Sequence, residues 1–257
     1  MTAAIETKIF INCHIKRFIS DMIGLIDGRL IVVERFGKVN LLTSDGKLQK
    51  QLPISDGAWS VTQINQNTIA ITYPWQKDIK IFNMENETVT KVIKLDKECR
   101  GLSFSINSLA VGVDSDNDDK DICIIDFEGN TLKSIPVETK TYLWDLVYCN
   151  NKVVYSDDGG KAVYCYDESG KQIWRYTQDL DGPRGLCMDA YGNTMVADYV
   201  TGRITVISKE GHDSKVLICK EDGQKHPRCI YFKHNESSCL ICDLHGEYLS
   251  KFHLSSG

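Results

Sequence analysis

The sequence has no excess of positive charge and no long apolar run. Its 257 residues carry a formal net charge of -5, so the overall field repels polyanions, which argues against DNA and anionic lipid as partners. No stretch reaches the roughly 18 consecutive apolar residues of a transmembrane helix. The first residues also lack the charged start and apolar run of a signal peptide. We therefore expect no membrane association and a cytoplasmic location.

Motifs of catalysis and metal binding are missing as well. The sequence contains no Gly-x-Ser-x-Gly elbow, no His-Glu-x-x-His pair and no Walker-type loop. Cys239 and Cys242 form a lone Cys-x-x-Cys inside a predicted strand, where the two thiols point to opposite faces and no second pair completes a zinc site. We expect no catalytic residue, no bound metal and no cofactor.

Short strand signals dominate what is present. Runs rich in Val, Ile, Tyr and Phe alternate with Asp, Gly and Asn turns, and no long segment keeps a helical period. Six such runs align as equivalent second strands, and their last residues, at positions 34, 73, 113, 157, 198 and 243, are 39 to 45 residues apart. This spacing is typical of a four-stranded propeller blade with its turns.

The repeat predicts an all-β fold, a single six-bladed β-propeller. An apolar run at Lys8 to Asn12 precedes the first repeat, and the sixth repeat ends near Leu254 after its third strand. We therefore predict that an N-terminal strand, residues 5–13, joins the last blade and closes the ring, which removes free sheet edges. A β-sandwich, which needs no forty-residue repeat, is the alternative fold. The predicted blades span residues 14–53, 54–95, 96–138, 139–178, 179–222 and 223–257.

The fifth repeat carries the sharpest motif. It reads Gly182-Pro183-Arg184-Gly185-Leu186, followed by Asp189-x-x-Gly192-Asn193, Val196-Ala197-Asp198 and Gly202-Arg203-Ile204. This pattern resembles an NHL repeat. The other repeats keep fragments of it, so the whole chain is similar to the NHL-repeat propellers that end many tripartite-motif (TRIM) proteins.

The resemblance implies a non-catalytic interaction module. Propellers of that family dock a protein partner or a ubiquitination substrate for a ligase, and several bind RNA hairpins on one face. The chain itself has no zinc cross-brace and no coiled-coil heptads. Ligase activity would therefore need a RING domain outside these residues. We expect the isolated domain to be monomeric and a longer protein with an upstream coiled coil to be oligomeric.

The repeat register predicts which residues gather on one face. In a propeller the starts of the inner strands and the loops between second and third strands emerge on the same side. Trp, Tyr and Arg, the residue types that dominate interface hot spots, are concentrated there. The predicted partner-binding residues are Arg35, Phe36, Trp59, Tyr73, Trp75, Arg100, Trp144, Arg184, Tyr199, Arg203, Arg228 and His245.

Three alternatives stay open at this point. The arginines and rings could clamp an RNA hairpin, although the acidic net charge and the loop Asp114 to Asp119 on the same face oppose that. A metal-dependent lactonase-like hydrolase would need carboxylate or amide ligands at the channel, where the entry positions are Trp and Arg with one Ser, but Glu98 and Asp145 lie close to these positions in sequence. Finally, Trp59 and Trp144 could wedge between blades while each Arg bridges adjacent loops, a purely structural role.

Overall fold

The chain forms an all-β ring of six four-stranded antiparallel sheets, seen in a computed structural model. The structure describes residues 2–11, 18–114, 119–139, 141–222, 226–233 and 238–255. The prediction of a six-bladed β-propeller is confirmed. The described part of the chain contains no helix with the length and apolarity that crossing a membrane would require.

Each of the first five blades is a meander whose strands run outward from the channel in sequence order. The first blade consists of β2 (Ile19–Gly24), β3 (Leu30–Glu34), β4 (Val39–Leu42) and β5 (Leu48–Gln51). The second consists of β6 (Val61–Asn65), β7 (Thr68–Tyr73), β8 (Asp78–Asn83) and β9 (Thr88–Lys94). The third consists of β10 (Glu98–Ser105), β11 (Ser108–Asp114), β12 (Lys120–Ile125) and β13 (Thr131–Val137).

The fourth and fifth blades repeat this order, and the sixth is completed by the N-terminal strand β1. The fourth blade consists of β14 (Leu146–Cys149), β15 (Lys152–Asp157), β16 (Ala162–Asp167) and β17 (Gln172–Tyr176). The fifth consists of β18 (Pro183–Met188), β19 (Thr194–Asp198), β20 (Arg203–Ile207) and β21 (Ser214–Ile218). The sixth consists of β22 (Pro227–Lys233), β23 (Ser238–Asp243), β24 (Tyr248–Ser255) and β1 (Thr2–Phe10). Two short 3-10 turns, Pro74–Gln76 and Lys220–Asp222, interrupt the loops.

The ring closes as predicted, by pairing of the first strand with the last. β1 runs antiparallel to β24, from Thr2 opposite Ser255 to Phe10 opposite Tyr248. The strand begins and ends three residues earlier than the predicted range 5–13. The strands of the first five blades span residues 19–51, 61–94, 98–137, 146–176 and 183–218, and the sixth blade combines residues 227–255 with β1.

Second strands are buried on both faces, which explains their continuous apolar sequence. Leu30–Glu34 and Thr194–Asp198 are buried throughout because each sheet packs between two neighbours. The core is therefore divided into clusters between adjacent blades. One of them joins Ile31 and Val33 of the first blade to Ile69 and Phe82 of the second.

Inner strands of successive blades are joined by a repeated hydrogen bond around the channel. A polar side chain of one inner strand accepts the backbone N–H of the next: Asp21 from Val61 (2.9 Å), Thr62 from Phe104 (3.2 Å), Ser103 from Tyr148 (3.0 Å) and Asp145 from Leu186 (2.8 Å). On the channel side an inner strand has no neighbouring strand to hydrogen-bond with. These side chains therefore accept hydrogen bonds from backbone N–H groups that would otherwise have no acceptor.

Candidate partner-binding face

β-bulges lie at the start of the inner strands and aim particular side chains toward the axis. In the first, fifth and sixth blades the register of the two innermost strands skips Ser20, Arg184 and Arg228 respectively. In the third blade the irregularity lies between Cys99 and Leu102, at Arg100. Since a bulge leaves one residue unpaired and re-aims its side chain, these three arginines are directed by backbone geometry.

Glycines allow the inner strands to pack closely beside these arginines. A Cβ atom on Gly185 would lie 2.6 Å from the backbone oxygen of Arg228, and one on Gly101 would lie 3.1 Å from that of Leu143. Any side chain there would push adjacent blades apart. The sequence pair Arg-Gly at 100–101 and 184–185 therefore combines a directed guanidinium with a close approach of the next blade.

Two tryptophans from the second and fourth blades stack against each other among the arginines. The ring centroids of Trp59 and Trp144 are 5.0 Å apart. The guanidinium carbons of Arg35, Arg184 and Arg228 lie 5.4, 5.2 and 5.3 Å from the Trp144 ring. Those of Arg35 and Arg100 lie 5.3 and 5.0 Å from the Trp59 ring, so both rings hold cations by cation–π attraction.

The loop between β3 and β4 covers this pair from the first blade. An isolated bridge between Gly37 and Ala58 ties the loop to the second blade just before Trp59. Phe36 adopts φ of 53°, a left-handed conformation that costs a non-glycine residue roughly 1–2 kcal/mol. Its ring lies 5.0 Å from Trp59 and 5.1 Å from Trp75. The strained backbone conformation of the loop is therefore found at Phe36, the residue whose ring contacts Trp59 and Trp75.

We name the connected set the arginine–aromatic face. It comprises Arg35, Phe36, Trp59, Trp75, Arg100, Tyr142, Trp144, Arg184, Tyr199 and Arg228.

Carboxylates neutralise two of the four guanidinium groups of this face. Arg100 pairs with Glu98 at 2.9 Å and with Asp114 at 3.1 Å. Arg184 donates from Nε and Nη2 to Asp158, at 3.2 and 3.0 Å. No ion pair involves Arg35 or Arg228 among the described residues. Two positive charges on the face therefore lack a direct counter-ion within the described part of the chain.

Burial and mutual repulsion act on the unpaired arginines. Partial burial, followed by the charges of Arg228, Arg100 and Arg184, lowers the pKa of Arg35. Burial, with a smaller contribution from the charge of Arg184, lowers the pKa of Arg228, which is 2% exposed, although Asp145 and Asp21 in the channel act in the opposite direction. In both cases the charged form is held in an unfavourable environment, which an anion close to the guanidinium groups would relieve.

Below the face, the channel contains a cavity of about 340 Å³, whose lining includes Asp189 and a pair of carboxylates, Asp21 and Asp145. Burial and then the charge of Asp21 raise the pKa of Asp145 to about 8. Burial also raises the pKa of Asp21, although the Ser60 hydroxyl, at 2.6 Å, and two backbone N–H groups oppose this. Both carboxylates are therefore occupied in joining neighbouring blades, and repulsion between their charges favours a shared proton.

Exposure divides the face into two layers. The buried layer consists of Trp59, Arg100 and Arg228, which are 0, 3 and 2% exposed. The exposed layer contains Arg35, Trp75 at 65% and Tyr142 at 44%, together with the half-buried Phe36, Trp144, Arg184 and Tyr199. Residues of the buried layer support the rings and cations above them, and a partner would contact the exposed layer.

Three of the predicted partner-binding residues lie apart from this network. Tyr73 is fully buried in the core between the first two blades, with the Lys80 ammonium 3.8 Å from its ring centroid, so it presents no surface to a partner. The alternation of strand β7 turns its side chain inward. The ring of His245 packs against that of Phe18, with the two ring centroids 5.2 Å apart. Arg203 lies at the start of β20, where its charge contributes to the lowered pKa of Glu221.

Sequence reasoning missed an aromatic residue two positions before Ser20, Trp144 and Arg228, which lie at the entries to three inner strands. Tyr142 lies 3.8 Å from the Arg100 guanidinium, and His226 lies 5.1 Å from Tyr199. Phe18 holds the equivalent position in the first blade. Because side chains two residues apart in an extended chain point the same way, the register that indicated Trp144 and Arg228 could also have indicated these residues.

The acidic loop that opposed RNA binding is described only at its ends. Asp114 pairs with Arg100 and, at 3.4 Å, with Lys120, whereas residues 115–118 lie outside the described residues. Within the described ranges, no group of three or more His, Cys, Asp or Glu side chains is arranged to hold a metal ion.

The molecule is thus a six-bladed β-propeller with an arginine–aromatic face at one end of its channel. No protein-family model matches the sequence, and none of the curated proteins matches it either.

Proposed function

We propose that this propeller is a non-catalytic interaction module that docks a protein partner on the arginine–aromatic face. The observation that carries the proposal is the exposed layer, in which Trp75, Tyr142 and Arg35 are open to solvent above a packed base of Trp59 and Arg100. Trp, Tyr and Arg bury much area on binding and lose little conformational entropy. A rigid base reduces the cost of ordering them when a partner binds.

We further propose that the module is an NHL-repeat propeller serving substrate recognition, as in TRIM-type ubiquitin ligases. The six-bladed fold is compatible with that family. In the fifth blade, Pro183 begins the inner strand, Arg184 occupies the bulge, and Gly202, with φ of 73°, turns into the third strand. The motif residues therefore have specific structural roles, which supports the assignment.

The channel carboxylates support a non-catalytic role. Asp21 accepts three hydrogen bonds, from the Ser60 hydroxyl and from the N–H groups of Val61 and Met22. Asp145 accepts the N–H of Leu186. General acid–base or metal-assisted hydrolysis needs carboxylates free to act on a substrate, whereas these two join blades.

An RNA hairpin is the second candidate ligand, since guanidinium groups and aromatic rings could bind phosphates and unpaired bases. The charges on the face favour protein over RNA. Glu98, Asp114 and Asp158 neutralise Arg100 and Arg184, and Arg228 is buried, so Arg35 is the exposed guanidinium of the face that has no ion pair among the described residues.

Site-specific photocrosslinking in cells tests the docking face. A benzoylphenylalanine is introduced in place of Trp75, and the matched control carries it in place of Ile173, which is 40% exposed on the outer strand β17. We expect a discrete crosslinked protein with position 75 that disappears when Arg35→Glu is added, and none with position 173. Equal crosslinking at both positions, or none at position 75, would refute docking on this face.

RNA is tested with the purified domain by fluorescence anisotropy on a pool of hairpins near physiological salt. We expect no saturable binding. Saturable binding that is lost in Arg184→Glu would instead make the module an RNA-binding propeller.

A further inference from the structure

The arginine–aromatic face contains buried hydrogen-bond donors and no matching acceptors. The Nη2 group of Arg228 and the indole N–H groups of Trp59 and Trp144 are buried and have no hydrogen-bond partner within the described residues. Leaving such donors unpaired is unfavourable, and more so for a charged group. All three belong to donor-only groups, and their buried N–H dipoles favour an acceptor over the exposed layer that they support.

The charge of that acceptor follows from Arg35. Its guanidinium lies on the exposed side of Trp59 and Trp144 and forms no ion pair with any described carboxylate. Three further guanidinium groups act on it electrostatically. An anion beside Arg35 would reduce this repulsion and accept a bidentate pair of hydrogen bonds, the geometry in which arginine binds carboxylates most strongly.

The surroundings favour a single anion over a chain of phosphates. Glu98, Asp114 and Asp158 lie next to the neighbouring arginines, and the whole chain carries a net charge of -5. A polyanion spanning the face would be repelled by these carboxylates. A single negative side chain over Arg35 can pair with a guanidinium that has no carboxylate of its own among the described residues, without spanning the carboxylates beside Arg100 and Arg184.

Beside Arg35 the exposed rings provide an apolar contact area. Phe36 lies 5.6 Å from the Arg35 guanidinium and 5.1 Å from Trp75, which is 65% exposed. An aliphatic or aromatic side chain next to the anion could pack on these two rings, where each ring would bury area at low entropic cost.

We propose that Arg35 is the anchor for an acidic peptide segment of a protein partner, with a carboxylate side chain on Arg35 and a neighbouring apolar side chain on Phe36 and Trp75. The inference rests on the proposed docking function and specifies its ligand. Arg35 is the cation that the partner reaches first, while Arg228 and the two tryptophans form the electropositive base beneath it.

The test begins with panning a random 12-residue phage library against the whole purified domain. We expect enriched peptides with Asp or Glu next to an apolar residue. Synthetic copies should bind in fluorescence anisotropy, and binding should weaken roughly tenfold or more in Arg35→Ala and after Glu→Gln in the peptide. Arg175→Ala is the matched control, because Arg175 also lies over a ring, Tyr164 at 5.4 Å, but on the outer strand β17.

A charge exchange separates recognition from a structural effect of the mutation. Peptides with Lys in place of the selected Glu should bind Arg35→Glu better than the original peptides do. Failure to enrich acidic peptides, equal binding by Arg35→Ala, or absence of this rescue overturns the proposal. Tenfold tighter binding of phosphoserine at the same peptide position overturns the carboxylate assignment in favour of a phosphopeptide.

The same peptides distinguish failure of this inference from failure of the docking function. One outcome is that the selected peptides lack acidic residues and still crosslink to position 75 and not to position 173. That result would support docking on the arginine–aromatic face and refute the binding of a carboxylate to Arg35. Peptides that crosslink only at position 173 would refute both the docking face and the carboxylate anchor.

Discussion

The two layers of the arginine–aromatic face contain the same residue types and differ in what they contact. Trp59 and Arg100 are enclosed by other rings, loops and carboxylates, whereas Trp75 and Arg35 have the same chemistry and remain open to solvent. The comparison shows that an aromatic or cationic residue on a binding face can be part of its base instead of its contact surface. Residues of the β3–β4 and β7–β8 loops, Arg35 and Trp75, lie outside, whereas inner-strand starts supply both buried residues, such as Arg100, and half-buried ones, such as Arg184.

The largest difference between the layers is expected in stability. Trp59→Ala removes a fully buried ring that contacts Phe36, Trp144 and two guanidinium groups, and it should lower the free energy of unfolding by about 3–5 kcal/mol. Trp75→Ala should change it by no more than about 0.5 kcal/mol. Urea unfolding followed by circular dichroism measures both. Similar losses in the two variants would contradict the division into layers.

A smaller effect is expected from the glycines that pack the buried layer. Gly185→Ala places a methyl group 2.6 Å from the backbone oxygen of Arg228 and should cost about 1–3 kcal/mol. Gly101→Ala, with its nearest contact at 3.1 Å, should cost less. If thermal unfolding ranks them in the opposite order, close packing of the inner strands is not what requires glycine at these positions.

The propeller fold was predictable because its signals are local. Second strands such as Leu30–Glu34 are continuous apolar runs, and turn residues separate them at a constant interval, so the number and order of blades follow from the sequence. The location of Arg100, Arg184 and Arg228 at one end of the channel followed from the same register.

Burial within the face was not predictable. Which arginines acquire carboxylate partners depends on side chains from other strands and blades, such as Asp158 beside Arg184, and which tryptophan is enclosed depends on stacking between the second and fourth blades. Tyr73 illustrates the limit, because it is the last residue of β7 and the strand alternation turns its ring into the core.

The channel beneath the two layers should make stability depend on pH. Because the pKa of Asp145 is raised to about 8, the folded state retains a proton that the unfolded state releases near the ordinary aspartate pKa of 3.8. Stability should therefore decrease as pH rises from 5 to 8, by at most about 1.4 kcal/mol per pH unit. Asp145→Asn, whose amide oxygen can still accept the Leu186 N–H, should flatten this slope.

The measurement is the urea midpoint between pH 5 and pH 8. Glu210→Gln, which removes an exposed carboxylate, is the control and should keep the wild-type slope. A wild-type stability that rises over this interval would mean that the channel carboxylates are ionised in the folded protein.

The smallest effect is expected for the ion pair at the edge of the exposed layer. Asp158→Asn removes the partner of Arg184, and because both side chains are 19% exposed, the stability loss should be within about 1 kcal/mol. The same substitution leaves Arg184 without its carboxylate, so it should strengthen binding of the selected acidic peptides. Weaker binding in this variant would indicate that Asp158 itself contacts the partner.

The closure of the ring by the N-terminal strand has a mechanical consequence. Thr2 lies opposite Ser255 at one end of the antiparallel pair of β1 and β24. Tension applied through these two residues pulls in the unzipping geometry, so the hydrogen bonds between β1 and β24 break one after another. In a shear geometry they would all bear the load at the same time. A force along the chain should therefore detach β1 first at low load and open the ring at the sixth blade, while the five blades built from continuous segments remain folded.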